Sequence, residues 1–311
     1  MELDVIIPLY NEEENILMLY QELVKTLDGI KYNLIFVDDG SSDGSLNKIT
    51  DLYKEDKKHV KVISFSRNFG KDAAIFAGME ASKAKYSAII DADMQQQPKY
   101  IVEMLNFLNE HLEYDEVAMV NDYENDNSFQ KSLKNVFYGL MKETTQQNYV
   151  AGASDFRLMR RDVVKTLVSM RESNRFTKGL FSWVGFKVYY MKYKPDKRRA
   201  GVSKFKFSRQ VRYAMNGIIN FSVVPLKFII WLGLIMAIGS FIYLILLVMK
   251  TLYLGIDVPG YASLMSIILL LGGLILFVLG IIGEYVSKTY IEIKRRPIYV
   301  SKLTLGIDRD L

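Results

Sequence analysis

A chain of 311 residues that is half hydrophobic yet 24% charged is too polar for a polytopic membrane protein and rather apolar for a purely soluble one. Its length holds one large domain or two small ones, and the absence of cysteine excludes disulfides and thiolate metal sites. The net charge of +5 is concentrated beside long apolar stretches, so it reads toward anionic lipid, and no nucleic-acid partner is expected.

Val5-Ile6-Ile7 is a short apolar strand that ends at Pro8. It follows Met1 almost at once, with none of the pattern of a signal peptide, so everything before Lys227 is expected to stay in the cytoplasm. Glu13–Leu27 places Ile16, Leu19, Leu23 and Leu27 at helical spacing. Leu34–Val37 reads as a buried strand closed by Asp38-Asp39-Gly40, Ser45–Tyr53 as a helix, and Val60–Phe65 as a strand. Lys71–Ala84 reads as a helix and Tyr86–Ile90 as a strand. Strands alternating with helices predict an α/β fold with a mainly parallel sheet. Ligands of such sheets bind at the carboxyl ends of the strands. Four polar clusters fall there: Pro8–Glu12, Asp38–Asp43, Ser66–Lys71 and Asp91–Gln95. Each alone also reads as a turn or helix cap; together they point to a site.

Farther on, Glu116–Val120 suits a fifth strand, Glu124–Gln130 a polar loop, and Asp162–Met170 a helix. Val150–Met159 is short and mixed, and Phe181–Lys192 alternates like a strand. Phe205–Val224 interleaves basic and apolar residues, as in a helix lying on a membrane surface. No charge occurs between Lys227 and Lys250, or between Asp257 and Glu284. Each gap exceeds the roughly 20 residues that cross a bilayer core, so two spans are expected. Thr251–Val258 between them carries no basic residue, whereas Lys288, Lys294, Arg295, Arg296 and Lys302 follow the second. That asymmetry puts both termini on the cytoplasmic side. Gly233, Gly239, Gly272, Gly273 and Gly280 would allow homo-oligomer contacts through the hairpin.

Asp91 and Asp93 share one side of the chain if the strand continues through them. Two close carboxylates suit a hard divalent cation such as Mg²⁺ or Mn²⁺, and the amide oxygen of Gln95 would add a neutral ligand. A lone Asp-x-Asp reads equally well as a solvated strand end.

The motifs Pro8-Leu9-Tyr10-Asn11-Glu12, Asp38-Asp39-Gly40-Ser41-Ser42-Asp43, Ser66-Arg67-Asn68-Phe69-Gly70-Lys71 and Asp91-Ala92-Asp93 resemble, in order, those of family 2 glycosyltransferases with the GT-A fold. Ser154-Asp155-Phe156-Arg157-Leu158, Trp183-Val184-Gly185-Phe186 and Arg199-Ala200-Gly201-Val202-Ser203-Lys204 are similar to the polyprenyl-phosphate branch. That branch includes dolichyl-phosphate mannose synthase and bacterial undecaprenyl-phosphate glucosyltransferases. The resemblance covers nearly the whole chain. It implies a GT-A domain over 1–200, a juxtamembrane amphipathic segment over 201–227, a transmembrane hairpin over 228–284 and a basic tail over 285–311. It further implies that Pro8, Tyr10, Glu12, Asp39 and Asp91 line a uridine pocket. Asp93 would hold the metal with Gln95 beside it, and Arg67 and Lys71 would steady the pocket; Lys71 reads equally as a helix cap. Asp155 and Arg157 would face sugar and acceptor, with a structural Asp155–Arg157 or Asp155–Arg160 pair as the plainer alternative. Arg199, Ser203 and Lys204 would meet phosphate.

The implied activity is inverting transfer of a sugar, glucose or N-acetylglucosamine, from a UDP-sugar to undecaprenyl phosphate at the bacterial inner membrane. Two departures stand out. The family usually continues Leu-Gln-Asp-Pro-Pro after its Asp-x-Asp, whereas this chain has Met94-Gln95-Gln96-Gln97-Pro98. The loop Asn121–Gln130 lacks the arginines the family often has there, leaving Lys131 and Lys134 as substitutes. The alternative is a catalytically weak or silent lipid-binding scaffold. A processive polysaccharide synthase would need more spans and a Gln-x-x-Arg-Trp motif, and the chain has neither.

Overall fold

A computed structural model describes residues 2–121, 150, 152–173, 175–193, 224–254 and 260–307. The chain begins with β1 (Leu3–Leu9), α1 (Ile16–Thr26), β2 (Tyr32–Asp38), α2 (Ser45–Glu55), β3 (Val60–Phe65), α3 (Lys71–Ala81) and β4 (Tyr86–Ile89). Then come α4 (Lys99–Glu110), β5 (Glu116–Asn121), β6 (Ala153–Arg160), α5 (Arg161–Ser169), α6 (Thr177–Trp183) and β7 (Val188–Tyr193). Two long helices, α7 (Val224–Leu254) and α8 (Tyr261–Ile293), precede a last strand, β8 (Ser301–Leu305).

The eight strands form one sheet in the order β7-β5-β6-β4-β1-β2-β3-β8. Every residue of β1, β2 and β4 is buried, as expected of strands covered on both faces. Side chains alternate accordingly. Val5 and Ile7 join Leu19 and Leu23 of α1, Ile49 and Leu52 of α2, and Met104 and Leu108 of α4 on one face. Ile6 and Ile89 meet Ile75 and Met79 of α3, Val163 and Leu167 of α5, and Phe181 of α6 on the other. Helix α3 lies so close to β1 that a Cβ on Gly78 would collide with the Ile6 side chain.

The sheet is mixed rather than mainly parallel. The pairs β1–β2, β1–β4, β2–β3 and β5–β7 are parallel, whereas β4–β6, β5–β6 and β3–β8 are antiparallel. Two strands run against the rest: β6, which enters between β4 and β5, and β8 at the edge beside β3. The stretch expected to be a strand over Phe181–Lys192 divides in two. Thr177, Leu180 and Phe181 are buried at helical spacing in α6, and Gly185, at φ 75°, turns the chain into β7.

The C-terminal residues read as a basic tail continue α8 to Ile293 and then return to the sheet. Tyr299 stacks on Phe65 of β3, with ring centroids 4.8 Å apart, and its hydroxyl donates to Glu80 of α3 at 2.8 Å. Glu292, near the end of α8, accepts a hydrogen bond from the Ser173 N–H at 2.9 Å. The last long helix is thereby tied to the α/β body at its C-terminal end. The two spans expected from sequence correspond to helices of 31 and 33 residues. Among the described residues, Leu270–Ile293 is long and apolar enough to cross a membrane, with mean hydropathy 2.0. The apolar stretch Ile229–Tyr243 within α7 is shorter.

Candidate active site

The four polar clusters meet at the carboxyl ends of β1–β4 and are stitched to one another. The loop after β1 turns at Asn11, whose φ is 54°. The Asn11 N–H donates to Ser41 Oγ at 2.9 Å, and Asn11 Oδ1 accepts from the Ser42 N–H at 2.8 Å. The Glu12 N–H donates to Ser45 Oγ at 3.0 Å, while Asn15 Nδ2 donates to Glu12 Oε2 at 2.8 Å. Glu13 accepts from the Gly44 N–H at 2.6 Å. The loops after β1 and β2 thus form one unit, with Pro8 inside the strand and Tyr10 partly exposed at the rim.

The second cluster joins the third through Asp39. Its buried carboxylate accepts from the Phe69 N–H at 2.6 Å and the Gly70 N–H at 2.9 Å. Burial pushes the Asp39 carboxyl up to about 6, against these hydrogen bonds, which favour the anion. Gly40 (φ 67°) is required here, because a Cβ would strike the backbone of Arg67 and Asn68. The neighbouring Asp38 accepts from Ser64 Oγ at 2.7 Å. Arg67 lies over the Phe69 ring, 3.9 Å from its centroid, and donates to the Asn68 carbonyl.

The third cluster joins the fourth through Lys71, the first residue of α3. Its ammonium lies 2.6 Å from Asp91 Oδ1 and 3.0 Å from Asp155 Oδ2. Burial would lower the Lys71 pKa, but the two carboxylates override it and hold the amine well above its ordinary value. Burial likewise opposes ionisation of Asp155, yet Lys71, reinforced by Lys178 and Arg157, keeps that carboxyl well below the usual range. Lys71 is therefore an ion-pair bridge as well as the residue that opens a helix.

After β4 the chain turns sharply at Met94, a buried side chain at φ 61°. Asp93 Oδ1 accepts from the Gln95 N–H at 3.2 Å. Arg157 is 4% exposed and turned into the body. It pairs with Glu116 at 2.5 Å, donates to the Ser154 carbonyl at 2.8 Å and lies over the Phe181 ring. Arg160 donates to the carbonyls of Tyr114 and Leu108. Among the described residues, the cation paired with Asp155 is thus neither arginine but Lys71.

Residues 4–168 match the family model described as glycosyl transferase family 2, and residues 224–289 match one described as the GtrB C-terminal hairpin. The chain belongs to glycosyl transferase family 2. A glycosyltransferase of Synechocystis sp. is 37% identical over 99% of this chain and 96% of its own length. The prophage bactoprenol glucosyl transferase homolog of Escherichia coli is 34% identical, covering 97% of this chain and 99% of its own. Bactoprenol glucosyl transferase of Shigella phage SfII is also 34% identical, covering 97% and 98%.

In this family 2 glycosyltransferase the polar clusters line one edge of a mixed α/β sheet. Asp39 grips the backbone just ahead of α3 at Phe69 and Gly70, and the next residue, Lys71, bridges Asp91 and Asp155. Arg199, Ser203, Lys204, the loop beyond Asn121 with Lys131 and Lys134, and most of the amphipathic segment lie outside the described residues. Two residues that motif reasoning does not select are prominent. Glu116, fully buried, is the partner of Arg157. Lys178 of α6 adds positive potential at Asp155. An acid at the start of a strand and a lysine beside Gly179 carry no signal of their own in the sequence.

Proposed function

We propose that this glycosyltransferase moves a hexose, glucose or N-acetylglucosamine, from a UDP-sugar to a polyprenyl phosphate, inverting the anomeric carbon. The observation that carries the reading is the Lys71 bridge between Asp91 and Asp155, which fixes two acids at the strand edge where a nucleotide-sugar would dock. Relatives named for bactoprenol support the acceptor.

The donor set after β4 suits a divalent metal. Asp93 and Gln95 offer only hard oxygen ligands, as Mg²⁺ or Mn²⁺ requires. Among the described residues no three His, Asp or Glu side chains cluster as a metal site, so substrate oxygens would complete the coordination. Asp91 belongs beside that pair in sequence, but its two oxygens already face Lys71 and Gln96. When bound, such a cation supplies charge neutralisation to the departing diphosphate.

The remaining work falls to the chain itself. Asp39, beside Pro8, Tyr10 and Glu12, would receive the uracil and ribose; Arg67 supports the loop that grips Asp39. A phosphate acceptor is already anionic and needs no strong base. Asp155, held ionised by Lys71, is accordingly an orienting and charge-balancing group. Arg157, locked against Glu116, would act by holding the β6 strand that carries Asp155. Arg199, Ser203 and Lys204 would attract phosphate.

An acceptor with a long hydrocarbon tail stays in the bilayer, since each CH₂ removed from it into water costs about 0.8 kcal/mol. The long exposed apolar faces of α7 and α8 support a two-pass hairpin in the bacterial inner membrane, with the α/β body and both termini in the cytoplasm. Pairing of hairpins into a homo-oligomer fits the glycines on both helices.

Purified protein supplied with Mg²⁺ or Mn²⁺, labelled UDP-glucose or UDP-N-acetylglucosamine and undecaprenyl phosphate should yield label extractable into organic solvent. Asp93→Ala should abolish that product; undiminished product in Asp93→Ala rejects the metal assignment. Absence of product across a panel of nucleotide sugars favours the silent lipid-binding scaffold, whose support is the altered Gln96-Gln97 stretch.

A further inference from the structure

Gln96 is the residue at which this chain carries an amide where the family pattern has an acid. It is 6% exposed. Both ends of its side chain are spent on one residue. Its Oε1 accepts from the Asp91 backbone N–H at 2.8 Å, and its Nε2 donates to Asp91 Oδ2 at 3.1 Å. The other carboxylate oxygen, Asp91 Oδ1, faces the Lys71 ammonium at 2.6 Å. Asp91 is therefore gripped from two sides, by a cation on one oxygen and a neutral donor on the other.

The chemistry of position 96 follows from that geometry. A carboxylate there could still accept the Asp91 N–H, but it has no proton to give Oδ2. Two anions would then face each other at hydrogen-bond distance. The single positive charge of Lys71 is already shared between Asp91 and Asp155. An added negative charge would pull Lys71 toward Asp91 and loosen Asp155.

We propose that Gln96 is a positioning residue that aims the Asp91 carboxylate, and, by leaving Lys71 shared, keeps Asp155 aligned as well. Held this way, Asp91 has lone pairs left for an N–H or O–H donor on the nucleoside half of the donor sugar. The glutamine is thus an adaptation of the site and no mark of its decay. This inference rests on reading the sheet edge as a nucleotide-sugar site.

The test uses full-length protein in detergent with lipid and compares Gln96→Glu with Gln96→Met. Each is close in size to glutamine; the first replaces the donor by an anion, the second removes donor and acceptor together. A lost hydrogen bond to a charged group corresponds to about a 10- to 100-fold fall in kcat/KM for the UDP-sugar. We expect that fall in Gln96→Glu, with a smaller one in Gln96→Met, both expressed mainly in the KM of the donor. Unchanged donor KM and kcat/KM in both variants overturns the proposal. A second measurement does not depend on turnover: thermal unfolding of Gln96→Met, Asp91→Ala and the double variant. A double variant no less stable than the weaker single variant supports the clamp, and strictly additive losses overturn it. Should wild-type protein fail to bind UDP, the glycosyl-transfer reading falls, and the unfolding cycle still decides whether Gln96 grips Asp91.

Discussion

Lys71 and Asp155 are held 3.0 Å apart although one opens helix α3 and the other lies near the start of β6 on the far side of β4. The same ammonium reaches Asp91 at 2.6 Å. Replacing it leaves two acids without their counter-charge. Lys71→Met should lower kcat/KM by about 100-fold or more, the scale of losing charge-assisted contacts to two groups. The Lys71 side chain is 44% exposed but that of Asp155 only 13%, so the loss of stability should fall between the roughly 1 kcal/mol of an exposed pair and the roughly 3–5 kcal/mol of a buried one. Lys71→Arg should keep part of the activity. Radiolabelled transfer and thermal unfolding check the two statements separately, and unaltered kinetics in Lys71→Met would remove the bridge from the site.

The Asp39 carboxyl is pushed up from 3.8 to about 6 by burial. A raised carboxyl pKa favours the folded state most below 3.8, and that advantage is lost as the pH rises through 6. Substrate binding runs the other way if the anion receives a uracil N–H. The donor KM should therefore climb as the pH falls below about 6. Asp39→Asn should bind donor poorly and show a flatter profile. Initial rates at varied UDP-sugar, on either side of that pH, provide the check.

Arg157 and Glu116 are a buried pair, 5% and 0% exposed in their side chains. Removing one partner strands the other. Arg157→Met or Glu116→Leu alone should destabilise the protein by about 3–5 kcal/mol, and the double replacement by less than either single one. Denaturant unfolding of the three variants tests the ordering. Equal, additive losses would show that the two charges do not depend on each other.

Leu276 of α8 is 71% exposed within an apolar run. Leu276→Lys should weaken membrane insertion by about 2.5–3.5 kcal/mol if that run crosses the bilayer. The α/β body should remain folded. Flotation of membranes together with limited proteolysis distinguishes the two effects, and full retention in the membrane fraction would place Leu276 outside the hydrocarbon core.

The half of the sheet that bears the motifs was legible because parallel strands buried on both faces read as unbroken apolar runs, as Val5–Ile7 and Leu34–Val37 do. The polar clusters that end them mark the site for the same reason. Helix α4 carries Ile101, Met104, Leu105 and Leu108 at helical spacing, yet a motif-led reading of the Asp91–Pro98 turn assigns it no element. Strand β8 is short, half polar and pairs with a strand from the opposite end of the chain. No local pattern announces such pairing. The same limit applies within the site. Lys71 declares itself as a helix start, but its two partners come from the turn after β4 and from β6. Gln96 looks like a lost acid until its hydrogen bonds to Asp91 are seen.

Strand β8 is translated after both long helices, yet it closes one edge of the sheet and brings Tyr299 onto Phe65. The ribosome must therefore deliver the hairpin before the α/β body can be sealed. If the hairpin enters the bilayer as proposed, biosynthesis has a fixed order: insertion comes first and completion of the sheet follows. The body is then fastened to its anchor by two chain passages instead of one, which restrains it from swivelling freely over the membrane surface.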